Sequence, residues 1–314
     1  MTLSIDGLRK RFGTLQALDG VSLSVPRGEV FGFLGANGAG KTTTMRIVLG
    51  LMKADEGTVT WDGRDARDWP RRTWGYMPEE RGLYLRMPVL DQLVHIAALY
   101  GVPRRQSRAE AQAWLERFRI PDVGDRRLET LSKGNQQKVQ YIATILHDPD
   151  VLLMDEPFVG LDPVNVAMLK AALLDMRDRG KTIVFSTHQL ETAEALCDSV
   201  AIIDHGRIVE SGTTRDVRRS TGHQAVRLAV ADDELDWLDA MAGVRVTRDG
   251  HDYAELRVAR DVDPQQILRA AMDRGDEVLR FEVTDPSLED VFVERVGPVA
   301  VDEERTLAAA GSRS

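Results

Sequence analysis

Short apolar segments separated by turn residues open the chain. Leu3-Ser-Ile5 and Val21-Ser-Leu23-Ser-Val25 alternate apolar with polar positions, the period of two expected of strands with one buried face, and Gly- and Pro-marked turns bound them. Val30-Phe-Gly-Phe-Leu34 is a near-continuous apolar run, which predicts a strand buried on both faces of a mixed or parallel sheet. From Val89 to about Phe118 the spacing becomes helical, with a break at Gly101-Val-Pro103, so a helical block is inserted between two sheet-forming regions. Val151–Met154, Thr182–Phe185 and Val200–Ile203 read as further buried strands.

Near residue 220 the pattern changes. The polar stretch Arg215 to Gln224 reads as a linker, followed by an apolar alternation at 225–230 and a helix-like segment over 232–242. Two strands joined by Asp249-Gly250, a strong hairpin signal, come next. A helix at 264–274, a strand at 278–283 and a helix at 286–296 complete a βαββαβ order with one extra helix, which predicts a small α+β fold of ferredoxin-like type. The expected organisation is therefore a first domain over 1–220, an accessory domain over 225–297 and a disordered tail at 298–314.

Composition narrows the class. At 314 residues the chain exceeds the usual single domain, and 43% hydrophobic residues suffice for a packed core. No apolar run approaches the roughly 20 residues a spanning helix needs, and the N-terminus lacks a signal pattern, so the chain reads as cytosolic and soluble. The single cysteine, Cys197, rules out an internal disulfide, and its amphipathic helical setting favours packing over reactivity. The net charge of −9 is uneven: residues 227–297 carry 18 Asp/Glu against 9 Lys/Arg, while residues 1–226 come to +1. A near-neutral first part suits a polyanionic nucleotide, and the acidic second part argues against a nucleic-acid partner, although solubility explains the acidity equally well.

The chemistry concentrates at a few positions. Gly35, Ala36, Asn37, Gly38, Ala39, Gly40, Lys41 and Thr42 fit G-x-x-x-x-G-K-[ST], with a strand before and a helix after. In that motif backbone N–H groups wrap phosphates, Lys41 reaches the β- and γ-phosphates, and Thr42 ligates Mg²⁺; Thr43 follows at the helix start. Asp155 and Glu156 close the apolar strand 151–154, where a buried carboxylate needs a cation or donors. Coupled to the phosphate loop, Asp155 would hold Mg²⁺ and Glu156 would act on the attacking water; on their own they read equally well as an acidic helix start. His188, at the end of the strand Thr182–Thr187, would on its own be a structural histidine more often than a functional one, and beside the other motifs would hydrogen-bond a γ-phosphate; Phe12 would either stack on adenine or pack in the core.

Leu131-Ser132-Lys133-Gly134-Asn135-Gln136-Gln137-Lys138, before the acidic pair, resembles the Leu-Ser-Gly-Gly-Gln signature of ATP-binding cassettes, with Lys133 and Asn135 as departures. Together with Phe12, Gly35–Thr43, Tyr76-Met-Pro-Glu79, Leu152–Pro157, Gly160-Leu-Asp162 and His188, it resembles the nucleotide-binding subunit of an ABC transporter over roughly residues 2–220. Pro78-Glu-Glu-Arg-Gly-Leu-Tyr84 is similar to a bacterial exporter-type subgroup that carries a small domain after the cassette.

The resemblance implies an α/β P-loop NTPase fold, a mixed-sheet core with a helical subdomain at about 85–150, which binds and hydrolyses ATP with Mg²⁺. It also implies a second copy of the chain that supplies Ser132, Lys133, Gly134 and Asn135 to the opposite ATP. Asp162 lies in the loop linking the two sites, and Glu79 stands where the family has a Gln that contacts Mg²⁺ and senses the membrane subunit. The implied partners are separate membrane-spanning permease subunits at the inner face of the cell membrane, with export as the direction. A soluble cassette acting on ribosomes or DNA is the competing reading, and two cassettes in one chain, a long coiled coil or zinc-binding cysteines, its usual marks, are absent from the sequence.

Overall fold

The computed structural model describes residues 2–80, 82–232, 235–249 and 253–297. The chain forms two compact units, one ending at Ser211 and the other beginning at Gly212. In the first, β1 (Thr2–Phe12) and β2 (Leu15–Pro26) pair antiparallel. β3 (Val30–Leu34), buried at every position, leads into α1 (Lys41–Val48), and β4 (Glu56–Trp61) and β5 (Arg64–Asp65) return to the β1 edge. β6 (Trp74–Met77) precedes the helical block, α2 (Val89–Leu99), α3 (Arg104–Arg117) and α4 (Lys133–Ile145). Then come β7 (Val151–Asp155), α5 (Pro163–Asp178), β8 (Thr182–Thr187), α6 (Leu190–Leu196), β9 (Ser199–Asp204) and β10 (Arg207–Thr213).

Two sheets result, an antiparallel β2-β1-β4-β5 and a six-stranded β10-β9-β3-β8-β7-β6. β3, β6, β7, β8 and β9 run parallel, which explains the near-continuous apolar runs of β3, β7 and β8: each is covered on both faces. The register pairs Leu34 with Thr187, Asp155 with Ser186 and Met77 with Met154. Gly35, Glu156, His188 and the segment after Met77 therefore leave the sheet at the carboxyl ends of its strands, where open α/β sheets bind ligands.

The second unit begins with α7 (Thr214–Arg219), followed by β11 (His223–Val230), β12 (Val244–Asp249), β13 (Ala254–Ala259), α8 (Gln265–Arg274), β14 (Val278–Thr284) and α9 (Leu288–Val296). Its antiparallel order, β12-β13-β11-β14, is that of a split βαβ fold. Two readings of the sequence differ from it. The stretch read as a linker carries α7, because Thr213 caps it through the Asp216 N–H at 3.1 Å. The helix expected over 232–242 is a 3₁₀ turn at Asp236–Ala240. Its core-facing residues, Leu235, Leu238 and Met241, recur every three positions, the repeat of a 3₁₀ helix. Gly250 of the hairpin and the tail at 298–314 lie outside the described residues. Among the described residues no helix is long and apolar enough to cross a membrane.

Candidate nucleotide-binding site

The loop between β3 and α1 is built for close approach. At Gly35 a Cβ would stand 2.4 Å from Ile203 O, and at Gly40, with φ of +114°, it would stand 2.8 Å from Ala17 O. Both positions therefore require glycine, and α1 starts directly behind them with its N–H groups facing the loop. Lys41, only 6% exposed, turns its Nζ back to donate to Gly35 O at 2.5 Å and Ala36 O at 3.2 Å.

Across from the loop stands the acidic pair. Asp155 ends β7, and Glu156 follows in the left-handed region at φ +49°, a costly conformation for a residue with a side chain. Ser186 on β8 supplies the support for both. Its Oγ donates to Asp155 Oδ1 and accepts the Glu156 N–H at 3.0 Å, while its carbonyl accepts the same N–H at 3.2 Å. Glu156 is thus a turn residue; the helix that follows begins only at Pro163, so the helix-start alternative does not describe the pair. Glu156 Oε1 lies 3.6 Å from Lys41 Nζ and 3.0 Å from His188 Nδ1, the latter close enough for an ion pair but not aligned as a hydrogen bond.

These groups face a cleft of about 560 Å³, within the usual range of ligand pockets. Phe12, Asn37, Gly38, Gly40, Lys41, Thr42, Thr43, Glu79, Asp155 and Glu156 line it. Phe12 is half exposed, with Lys10 Nζ 5.6 Å from its ring, so it is available for stacking and does not pack in the core. Glu79 enters the cleft with its carboxyl raised above the usual range, first by burial and then by the charges of Asp155 and Glu156.

Other expected residues do not line the cleft. Ser132 caps α4 by accepting the Asn135 N–H at 3.3 Å, with Lys133 exposed in the first turn and no acidic residue there. Asp162 caps α5 through the Asn165 N–H at 2.9 Å. A Cβ on Gly134 would stand 3.1 Å from Asn165 Nδ2, so the signature and the Asp162 turn adjoin each other. Sequence reasoning missed Ser186, and it also missed Leu15, Gln16, Ala17, His205 and Gly206, which complete the cleft from the start of β2 and the β9–β10 turn. A serine in an otherwise apolar buried strand, two residues before His188, was the available signal for the first; nothing local marks the others.

The donors fit a small hard cation. Asp155 Oδ2 and Glu156 Oε2 are buried with no hydrogen-bond partner among the described residues, and the Thr42 hydroxyl lies in the same cleft. Among the described residues no group of three His, Cys, Asp or Glu is placed so that it alone could hold a metal ion. This small set of oxygen donors matches Mg²⁺, which keeps waters and takes substrate phosphates as its remaining ligands.

A phosphate loop on a parallel sheet, facing a buried Asp-Glu pair, defines a phosphate-loop nucleotide hydrolase. A family model described as ABC transporter matches residues 18–159, and one described as ATP-binding protein DrrA1-3-like, C-terminal domain, matches residues 212–296. The chain is 43% identical over 297 residues to an uncharacterized ABC transporter ATP-binding protein of Bacillus subtilis (strain 168), covering 95% of this chain and 99% of that one. It is 34% identical over 322 residues to the daunorubicin/doxorubicin resistance ATP-binding protein DrrA of Streptomyces peucetius, covering 98% and 96%. A solved ATP-binding subunit of an ABC transporter superposes with a TM-score of 0.65 at 33% identity, over 70% of this chain and 92% of that one. The chain belongs to the ATP-binding proteins of ABC transporters, and it is an ATPase.

Proposed function

We propose that this chain is the ATP-hydrolysing subunit of an exporter, that two copies close around two ATP molecules, and that separate membrane-spanning subunits carry the transported molecule. One observation carries the reading. Lys41, Asp155 and Glu156 line the cleft at the phosphate loop, with His188, itself not in the lining, 3.0 Å from Glu156, while Ser132–Asn135 and Asp162 lie outside this cleft. An ATP site that uses the signature must therefore receive it from another copy. Val159 and Val164, exposed valines beside the Asp162 turn, would be covered by that copy.

In this reading the loop N–H groups from Gly35 to Thr43 and Lys41 bind the β- and γ-phosphates, and Phe12 stacks on adenine. Thr42, Asp155 and Glu79 would hold Mg²⁺, which when bound neutralises phosphate charge. Glu156 accepts a proton from water as its oxygen bonds to the γ-phosphorus and the bond to the β-phosphate oxygen breaks, releasing ADP and phosphate. His188 orients the γ-phosphate. From the partner, Ser132 and Gly134 contact the same phosphate, Asn135 lies beside them, and Lys133 adds a cation. Export follows the relatives named for drug resistance and for Nod factor export. The cassette over 1–220 and the accessory domain over 225–297 are our functional division of the chain.

Glu156→Gln keeps the shape and removes the base. We expect intact ATP binding, turnover reduced by about a hundredfold or more, and an ATP-dependent dimer by size-exclusion chromatography. Undiminished turnover would place the base elsewhere. Recovery of the chain with ribosomes or DNA and never with membrane proteins would refute the transport role.

A further inference from the structure

Pro78, Glu79 and Glu80 leave β6 and take Glu79 into the cleft without regular structure of their own. Beyond the ladder that ends at Met77, no backbone–backbone hydrogen bond among the described residues reaches this segment. The two hydrogen bonds that do reach it among the described residues come from one side chain. Gln140 Nε2 donates to Pro78 O at 2.7 Å and, at the limit of reach, to Glu80 O at 3.5 Å.

Gln140 is 3% exposed, and its Oε1 has no hydrogen-bond partner among the described residues. A buried acceptor without a partner is destabilising and offsets part of what the hydrogen bonds donated by Gln140 contribute to the fold. What the amide adds is a pair of donors aimed at the carbonyls on either side of Glu79.

Gln140 does not act alone on its helix face. Three residues earlier Gln137 Nε2 donates to Pro157 O at 3.2 Å, and four residues later Thr144, whose hydroxyl donates to Gln140 O at 2.9 Å, lies 3.5 Å from Tyr76 O. Gly75 permits this contact, since a Cβ there would stand 2.7 Å from Thr144 O. One face of α4 therefore fastens the segments after β6 and β7, from which Glu79 and the Asp155-Glu156 pair emerge. The N-terminus of the same helix carries Ser132–Asn135.

The geometry points to Gln140 as a positioning residue: it pins the Glu79 segment to α4, so that Glu79 in one site and the signature offered to the other site move as one body. This rests on the reading of the cleft as an ATP site completed by a second copy.

Gln140→Met in the full chain removes the donors and keeps the volume. Without nucleotide, cleavage after Glu79 or Glu80 by a glutamate-specific protease should speed up by about tenfold or more, while amide exchange in the rest of α4 and β6 is unchanged. With ATP, kcat should fall by about tenfold or more at nearly constant KM, because a displaced group costs turnover before affinity. Gln140→Glu, which turns an acceptor toward both carbonyls, should lose at least as much. Wild-type cleavage at 79–80, or a kcat loss that merely follows a lower Tm and faster amide exchange throughout α4 and β6, would overturn the assignment. Failure of the underlying reading shows separately, in the unsubstituted chain, as absence of ATP binding or as full turnover by Glu156→Gln.

Discussion

Replacing Ser186 by Ala isolates what holds the Asp155-Glu156 pair. Ser186 is fully buried and Asp155 is 1% exposed, so no water takes the place of the lost hydroxyl. Asp155 Oδ2 already lacks a partner, and the substitution would leave Oδ1 without one as well. The Glu156 N–H keeps the Ser186 carbonyl at 3.2 Å, so no new unpaired donor is created. The loss is then one hydrogen bond to a buried charged group, about 2–3 kcal/mol. In a unit of this size it corresponds to about 4–12 °C in Tm. Because Ser186 sets both Asp155 and the backbone of Glu156, turnover should also fall by about 10–100-fold. Urea unfolding without nucleotide, at constant slope, measures the first effect and steady-state ATP hydrolysis the second. A change below about 0.5 kcal/mol with unaltered kcat would show that the hydroxyl does not support the pair.

Two further substitutions test other parts of the molecule. Lys133→Gly should weaken ATP-driven dimerisation about three- to tenfold, more at low salt, while the monomer loses no stability, because a cation in the first turn of α4 opposes the helix dipole; a salt-independent, unchanged dimer affinity would make Lys133 a solvated side chain only. His147, stacked on Tyr100 at 3.9 Å with Nε2 on Trp74 O, has its pKa lowered by burial, and its Nδ1 has no acceptor among the described residues. The unfolded chain therefore takes up the proton first, so its contribution to stability is full above the unfolded value of about 6.5 and is lost as pH falls below it; urea midpoints at about pH 7.5 and 5.5 should diverge less in His147→Phe, and equal divergence would refute this.

How far the sequence could be read depended on whether a residue's role is local. The phosphate loop announces itself because Gly35 and Gly40 must be glycine for reasons set by backbone conformation and near neighbours. β3 and β7 were legible because burial on both faces leaves an unbroken apolar run. α7 was missed although Thr213-x-x-Asp216 is a cap signature, since six polar-rich residues carry too little apolar periodicity to stand out. What Ser186, Gln140 and the turn at His205-Gly206 do at the site was hard to read for another reason. Their partners lie 31, 62 and 60, and nearly 190 residues away, and only the strand register and the packing of α4 bring them together.

The resting cleft has a charge arrangement that bears on when hydrolysis can start. Glu79, Asp155 and Glu156 surround one buried ammonium, Lys41, which spends its donors on the carbonyls of its own loop and lies 3.6 Å from Glu156. In the proposed reaction both groups have other tasks, Lys41 on the phosphates and Glu156 on water. Entry of a triphosphate gives Lys41 a stronger acceptor than a neutral carbonyl, and drawing it forward withdraws the cation from Glu156. The carboxylate is then buried beside His188 with its second oxygen free to take a proton. In the proposed reaction substrate binding would thus release Glu156 from the contact that occupies it at rest, which would tie the onset of chemistry to occupancy of the loop through two side chains of the same chain.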